Sequence, residues 1–158
     1  MSEQRLFRPF KQDDFPELCA MSCALYKEDD IGHEMSEKKI RATVEALSNS
    51  PERGEITLFL QDGQAAGYAI VVYFWSNEYG GKIGILDEMF VKKTFRGKGL
   101  GGLFLDRISQ SSDESIVALR LEVTQNNERA FSLYEKKGFH LCRNRHMEKS
   151  LRDENENH

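Results

Sequence analysis

Residues 90–108 read FVKKTFRGKGLGGLFLDRI, and this stretch decides how the rest of the chain is read. An apolar run ends at Val91, and a helical pattern opens at Leu100. Between and just past them stand the cations Lys92, Lys93, Arg96 and Lys98 and the glycines Gly97, Gly99, Gly101 and Gly102, with no acid among residues 89–105. A strand, closely spaced glycines and a helix together present backbone N–H groups at the positive end of a helix, which makes an anion site. The added cations predict a multiply charged anion.

Working outward, the residues before the loop change period. EITLFLQDGQAAGYAIVVYFW alternates and is rich in β-branched and aromatic residues, with Asp62-Gly63 as a two-residue hairpin signal, and SNEYGGK turns the chain into the strand IGILDEMFV. Upstream, RLFRPF reads as a first strand, and DDFPELCAMSCALY as a helix with Asp13 as N-cap. A second helix is capped by Ser36 and runs to about Leu47. Downstream come a helix from Leu100 to about Ser111, the strand IVALRLEV, and a helix NERAFSLYEKKGF closed by Gly138. HLCRNRHMEKSL reads as one or two final strands. The order predicts an α/β (α+β) domain over residues 1–151, with one mixed, mostly antiparallel sheet of six to seven strands flanked by about four helices on both faces. Residues 152–158 read as a polar, disordered tail.

Composition excludes several classes. The chain has 158 residues, 39% hydrophobic and 30% charged, enough apolar side chains for one buried core. No apolar run approaches the ~18 residues that cross a membrane, and the N-terminus has no signal-peptide pattern, so a cytoplasmic protein without membrane partners is expected. A formal net charge of -4 speaks against a nucleic-acid binder. Cys19, Cys23 and Cys142 read as reduced, core-filling thiols. No metal site is expected, because His33, His140, His146 and His158 have no ligand spacing with them.

Three phosphate templates compete for the loop. A Walker A sequence requires Gly-Lys-Ser/Thr, which is absent. Gly97, Gly99 and Gly102 satisfy the dinucleotide pattern G-x-G-x-x-G, with Glu122 at the ribose-binding distance, but hairpin strands precede them and little chain remains for further parallel units. The third template is R-x-x-G-x-G, met by Arg96, Gly99 and Gly101. Here the sequence resembles the GNAT superfamily of acyl-CoA-dependent N-acetyltransferases. NNERAFSLYEKKGF is similar to a second motif of that family, with Asn127, Ala130, Leu133, Tyr134, Gly138 and Phe139 in register.

The resemblance implies acetyl-CoA (coenzyme A) as cofactor and an N-acetyltransferase acting on a primary amine in a ternary complex. It implies that Arg96, Gly97, Lys98, Gly99, Leu100, Gly101 and Gly102 hold the pyrophosphate. Met89, Phe90 and Val91 would pair with the pantetheine arm, which Asn127 would also contact, unless Asn127 serves as a helix N-cap alone. Tyr134 matches the family's general acid at the thiol, and a phenol with a pKa near ~10 keeps its proton at neutral pH. Its alternative is a core tyrosine. For the base, Asp87 stands four residues before Val91, where an acid orders or deprotonates the amine in relatives acting on polycations. Strict alternation sends Asp87 and Glu88 to opposite faces, leaving Glu88, or a water chain ending near Glu78, as alternatives. Glu28, Asp29, Asp30 and Glu34 would form an acidic rim, and Tyr26, Tyr73, Trp75 and Tyr79 an aromatic wall, that together favour a small cationic amine; an ordinary solvated loop is the alternative. Of these, Tyr26, Glu28, Asp29, Trp75 and Asp87 are the candidate substrate contacts. A protein or peptide amine as acceptor, and a non-catalytic acyl-CoA-binding module, remain open. A homodimer is possible through exposed edge strands.

Overall fold

The computed structural model describes residues 2, 4–29 and 32–152. Asp30 and the tail from residue 153 onward lie outside them. In chain order the elements are β1 (Arg5–Pro9), α1 (Phe15–Glu28), α2 (Glu37–Ser48), β2 (Gly54–Gln61), β3 (Gln64–Ser76), β4 (Gly81–Val91), α3 (Leu100–Ser109), β5 (Ile116–Leu121) and α4 (Glu128–Lys136). One sheet runs β1-β2-β3-β4-β5, antiparallel except for the parallel β4–β5 pair.

The Asp62-Gly63 turn forms as its chemistry dictates. Both residues take positive φ, 51° and 79°, and Gln61 faces Gln64 across a two-residue loop whose twist matches the strands. Helix α2 starts at the expected cap, where the Ser36 hydroxyl accepts from the Lys39 N–H at 3.4 Å. The first helix differs. A short 3-10 turn occupies Gln12–Asp14, so Asp14 rather than Asp13 is the N-cap of α1. The Asp14 carboxylate instead accepts from both Arg8 guanidinium nitrogens, at 2.7 and 2.8 Å, and from the Lys11 N–H at 2.8 Å, tying β1 to α1.

Alternation along the sheet divides the core in two. Ile56, Leu58, Tyr68, Ile70 and Phe90 face Leu18 and Met21 of α1 and Ile40 and Val44 of α2. Phe59, Ala69, Val71 and Leu86 face Leu100, Phe104 and Leu105 of α3, with Leu133 and Tyr134 of α4 completing that layer. Each helix thus buries its apolar stripe on one sheet face, which fixes the ends of α3 and α4 beside β4.

The strand count corrects the expectation. Among the described residues five strands form the sheet, and residues 140–150 carry no strand. Leu141 and Met147 in that segment are 76% and 99% exposed, so its few, widely spaced apolar residues cover no apolar surface among the described residues. Without that, a strand pattern gains nothing from pairing.

Candidate active site

The site is built where β4 and β5 part. Their parallel pairing ends at Leu86 and Leu121, and the last five residues of β4 continue with no strand on that side among the described residues. A bulge marks the same point: Val71 faces Leu86 and Ile70 faces Glu88, leaving Asp87 as the extra residue. The bulge reverses the strand's phase. Glu88 and Phe90 face α1, whereas Leu86, Met89 and Val91 all face α3 and α4. Strict alternation across Asp87 and Glu88, expected from the sequence, is therefore replaced by an unpaired Asp87 at the mouth of the notch.

Backbone groups on the open side of β4 follow from the pairing on the other. The Lys92 N–H donates to the Ala66 carbonyl at 2.8 Å, which makes that pair a hydrogen-bonded one. By alternation Phe90 and Glu88 also bond toward β3, so Met89 and Val91 turn their N–H and C=O groups toward the notch, where the Val91 carbonyl already accepts from Arg96.

The glycine-rich loop closes one side of this notch. Gly97 and Gly99 both take φ of 78°, a left-handed conformation that glycine adopts without the steric cost of a Cβ, and no atom lies within 4 Å of where either Cβ would stand. Gly99 caps α3, whose first intrahelical bond runs from the Leu103 N–H to the Gly99 carbonyl, leaving the amides of Leu100, Gly101 and Gly102 without helical acceptors. The other two glycines serve packing. A Cβ on Gly101 would meet Met89 Cε at 3.4 Å and Leu133 Cδ2 at 3.6 Å, and one on Gly102 would meet Lys137 Cε at 3.1 Å. The first turn of α3 is thus wedged between β4 and α4, with Lys137 bonded to Asp106 at 2.7 Å.

The loop's cations are less available than their sequence implies. Arg96 donates from Nε to the Val91 carbonyl and from its guanidinium to Glu28, both at 2.7 Å, and stacks 5.3 Å from the Phe90 ring. Lys92 pairs with Glu17 at 2.9 Å and Lys93 approaches Glu28 at 3.8 Å. The acids missing from residues 89–105 come from α1. Arg96 and Glu28 therefore brace the loop against β4 and α1, and Lys98 stands 6.0 Å from the Phe95 ring.

Tyr134 lies on α4 facing the same notch, edge-on to Phe139 at 5.9 Å. Burial first, and then the charge of Asp29 at the end of α1, raise its phenol above the usual value. Asn127 is an N-cap, its side chain accepting from the Ala130 N–H at 3.1 Å. Asp87 remains exposed as a residue, yet its carboxyl is desolvated enough that burial, followed by the charge of Glu122, raises its pKa.

Glu88 occupies a different environment. It accepts from Tyr68 at 2.6 Å, Ser22 at 3.1 Å and, more loosely, Tyr26 at 3.4 Å. Desolvation raises its pKa while the Tyr68 bond opposes the rise, and Tyr26, desolvated and facing Glu88, is pushed up to about 12. Beside it is a cavity of about 20 Å³, lined by Ser22, Met35, Thr43 and Ile70 and large enough for one water.

The structure thus brings together Asp87, Glu88, Met89, Val91, Tyr134, Asp29, Tyr26 and the loop. Trp75 is elsewhere. It faces Lys82 near the β3–β4 turn, five residues along β3 from Ile70 and so roughly 17 Å away at strand rise. Sequence reasoning missed Tyr68 and Ser22, which hold Glu88. The signal was a tyrosine inside the apolar run GYAIVV, whose buried hydroxyl requires an acceptor. Among the described residues no group of three or more His, Cys, Asp or Glu could hold a metal, and no helix is long and apolar enough to cross a membrane.

Comparison with known proteins bears on the family and the fold. No curated protein matches the sequence. Among solved structures, the chain is similar to a possible acetyltransferase from Clostridium difficile 630, with TM-score 0.82 and 23% identity over 94% of this chain and 99% of that one. An integron cassette protein from the mobile metagenome of Cole Harbour Salt Marsh has TM-score 0.78 and 29% identity, over 93% of this chain and 91% of that one. The aminoglycoside N-acetyltransferase AAC(6')-Iy in complex with CoA has TM-score 0.78 and 14% identity, over 96% and 97%, a likeness of fold. The family model described as acetyltransferase (GNAT) domain matches residues 52–141, from the second strand through the loop and the whole of α4, and the chain belongs to that family of acetyltransferases.

Proposed function

We propose that this acetyltransferase moves an acetyl group from acetyl-CoA to the primary amine of a small cationic molecule. The observation that carries the reading is the notch: open amides at the start of α3, outward backbone groups at Met89 and Val91, and Tyr134 and Asp87 on its two walls. The two left-handed glycines leave room where a side chain would stand, which suits a pyrophosphate against the helix end. A fold shared with a protein crystallised with CoA supports the same cofactor. Bound acetyl-CoA supplies a thioester, an acyl carbon open to attack and a thiolate able to leave.

The chain's own residues then handle binding and protons. Amides of Leu100 to Gly102 hold the anion, and Met89 and Val91 offer edge pairing to an amide-bearing arm. Asp87 attracts an ammonium group and takes its proton, which is needed because an alkylamine of pKa near ~10 is about one part in a thousand neutral at pH 7. Tyr134, held protonated by burial, returns a proton to the departing sulfur. Glu88, fixed by three hydroxyls, positions Tyr26 and adds negative potential beside Asp87. Asp29 and Glu88 together favour a cation over a neutral amine.

The experiment is an initial-rate assay of thiol release from acetyl-CoA over polyamines, aminoglycosides, lysine-like amines and peptide N-termini. Saturating turnover with small polycations is expected. Turnover only with peptides would reassign the acceptor, and tight CoA binding without any turnover would make the protein a non-catalytic acyl-CoA module.

A further inference from the structure

The last turn of α1 touches both halves of the site. Tyr26 donates to Glu88, and the charge of Asp29 bears on the Tyr134 phenol. Glu28, between them, faces the cofactor loop instead. Its Oε2 accepts from the Arg96 guanidinium at 2.7 Å, and its Oε1 stands 3.8 Å from the Lys93 ammonium. Both oxygens of this carboxylate are spent on cations of the loop. Guanidinium and ammonium groups converging on an oxyanion form the arrangement that a phosphate group takes up, and here an acid of the chain itself fills it.

Position makes Glu28 a competitor for those cations. Arg96 directly precedes Gly97, and the open amides at the start of α3 follow within the same loop. A pyrophosphate seated on the amides therefore draws on Arg96 and Lys93 as well. The Arg96 side chain is anchored independently of Glu28, because Nε bonds the Val91 carbonyl at 2.7 Å and the guanidinium stacks 5.3 Å from the Phe90 ring. Only its outer nitrogen reaches Glu28, in a pair whose side chains are 30% and 31% exposed. A half-exposed pair of this kind is worth little and is readily exchanged for a better anion. Once it opens, Glu28 is left as an added negative charge on the helix turn that also carries Tyr26 and Asp29.

We propose that Glu28 is a built-in counter-anion of the cofactor loop and a specificity residue for the acceptor: it neutralises Arg96 and Lys93 in the absence of cofactor, and takes the acceptor's ammonium group in their place once the cofactor's pyrophosphate draws the cations away. The inference rests on the acetyl-CoA reading above and deepens it. Exchange of partners at one carboxylate makes the two ligands assist each other, since whatever the cofactor adds to acceptor affinity the acceptor adds to cofactor affinity. It also gives a reason for the origin of the acids that balance the loop. They come from the helix that borders the acceptor, where their release has a use.

Calorimetric titration of the full-length protein with CoA and with inorganic pyrophosphate reads the competition, and spermidine titrated with and without saturating CoA reads the exchange. Glu28→Gln is expected to bind CoA and pyrophosphate about 2- to 5-fold more tightly than the wild type at low salt, the size of an exposed ion pair, with the gain shrinking as salt screens it. Glu37→Gln removes the same charge from a pair with Arg41 on α2 and is expected to leave CoA affinity unchanged. In an Arg96→Gln background the gain from Glu28→Gln should diminish, which isolates the pair. The wild type is expected to hold spermidine more tightly when loaded with CoA, and Glu28→Gln to lose that difference. A CoA affinity unchanged or weakened in Glu28→Gln would overturn the inference, as would an equal gain in Glu37→Gln. So would a wild type that binds CoA yet holds spermidine no better with it than without. Absence of CoA binding altogether would refute the acetyl-CoA reading, and this inference with it.

Discussion

Replacing Gly99 separates the loop's conformation from its packing. Its φ is 78°, and a Cβ would meet no atom within 4 Å, so an L residue there suffers strain but no clash. The left-handed conformation costs about 1–2 kcal/mol for an L residue. In a domain of this size each kcal/mol lowers Tm by about 2–4 °C, so Gly99→Ala is expected to lose roughly 2–8 °C and remain folded. Gly99→Asn, which tolerates this region, loses less, and Gly99→Val more. Relief of the strain swings the amides at the start of α3 away from the notch. Losing one hydrogen bond to a charged group, about 1.5–3 kcal/mol, weakens CoA by roughly 10- to 150-fold, and Gly99→Val is expected to abolish binding. Gly63→Ala is the control, because Gly63 has φ 79° and the same open surroundings but sits in the β2–β3 turn. Thermal denaturation and calorimetric titration with CoA should show similar stability losses for the two alanine variants and an affinity loss for Gly99→Ala alone. Equal CoA affinities in both would refute the placement of the pyrophosphate at this loop.

Other expectations rest on the proton-handling groups. Tyr134→Phe should lower kcat far more than it changes the Kd for acetyl-CoA, and an unchanged kcat removes Tyr134 from the mechanism. Asp87 has a raised folded pKa, so the stability of its neutral form is full below the ordinary carboxylate pKa and is lost as pH rises through the folded value. Asp87→Asn should therefore raise Tm at pH 7–8, leave it unchanged near pH 3, and cut kcat; a Tm that falls at neutral pH contradicts the desolvation argument. Tyr68→Phe removes the shortest bond to Glu88 and should cost about 1–3 kcal/mol at neutral pH, shrinking as acid protonates Glu88, which urea denaturation at two pH values reads. Asp14 is held low chiefly by Arg8, so its contribution is present above the ordinary carboxylate pKa and lost as pH falls through the folded value. Asp14→Asn should lower Tm at pH 7 and have little effect in strong acid.

Local chemistry was legible in the sequence where it is decided locally. Asp62-Gly63 requires positive φ at both positions, Ser36 and Asn127 have amides to cap, and the strand-glycine-helix order forces open N–H groups at Leu100. The N-x-x-A-x-x-L-Y run placed Tyr134 on α4, and α4 packs that residue against Phe139 beside the loop. What depended on distant partners was not legible. The cations of residues 92–98 look unbalanced until α1 supplies Glu17 and Glu28. Alternation through Asp87 and Glu88 fails because a bulge adds one residue, and no signal within IGILDEMFV marks it. Trp75 reads as a site aromatic only through the resemblance, but strand length carries it to the far end of β3. The segment HLCRNRHMEKSL reads as strand from its sequence but forms no strand among the described residues.

The central claim is that the loop from Arg96 to Gly102 holds coenzyme A for acetyl transfer. Calorimetric titration of the full-length protein with acetyl-CoA, with NADH in parallel, tests it most directly. Saturable binding of acetyl-CoA and none of NADH is predicted. Binding of NADH alone would make Gly97, Gly99 and Gly102 a dinucleotide site and contradict the account.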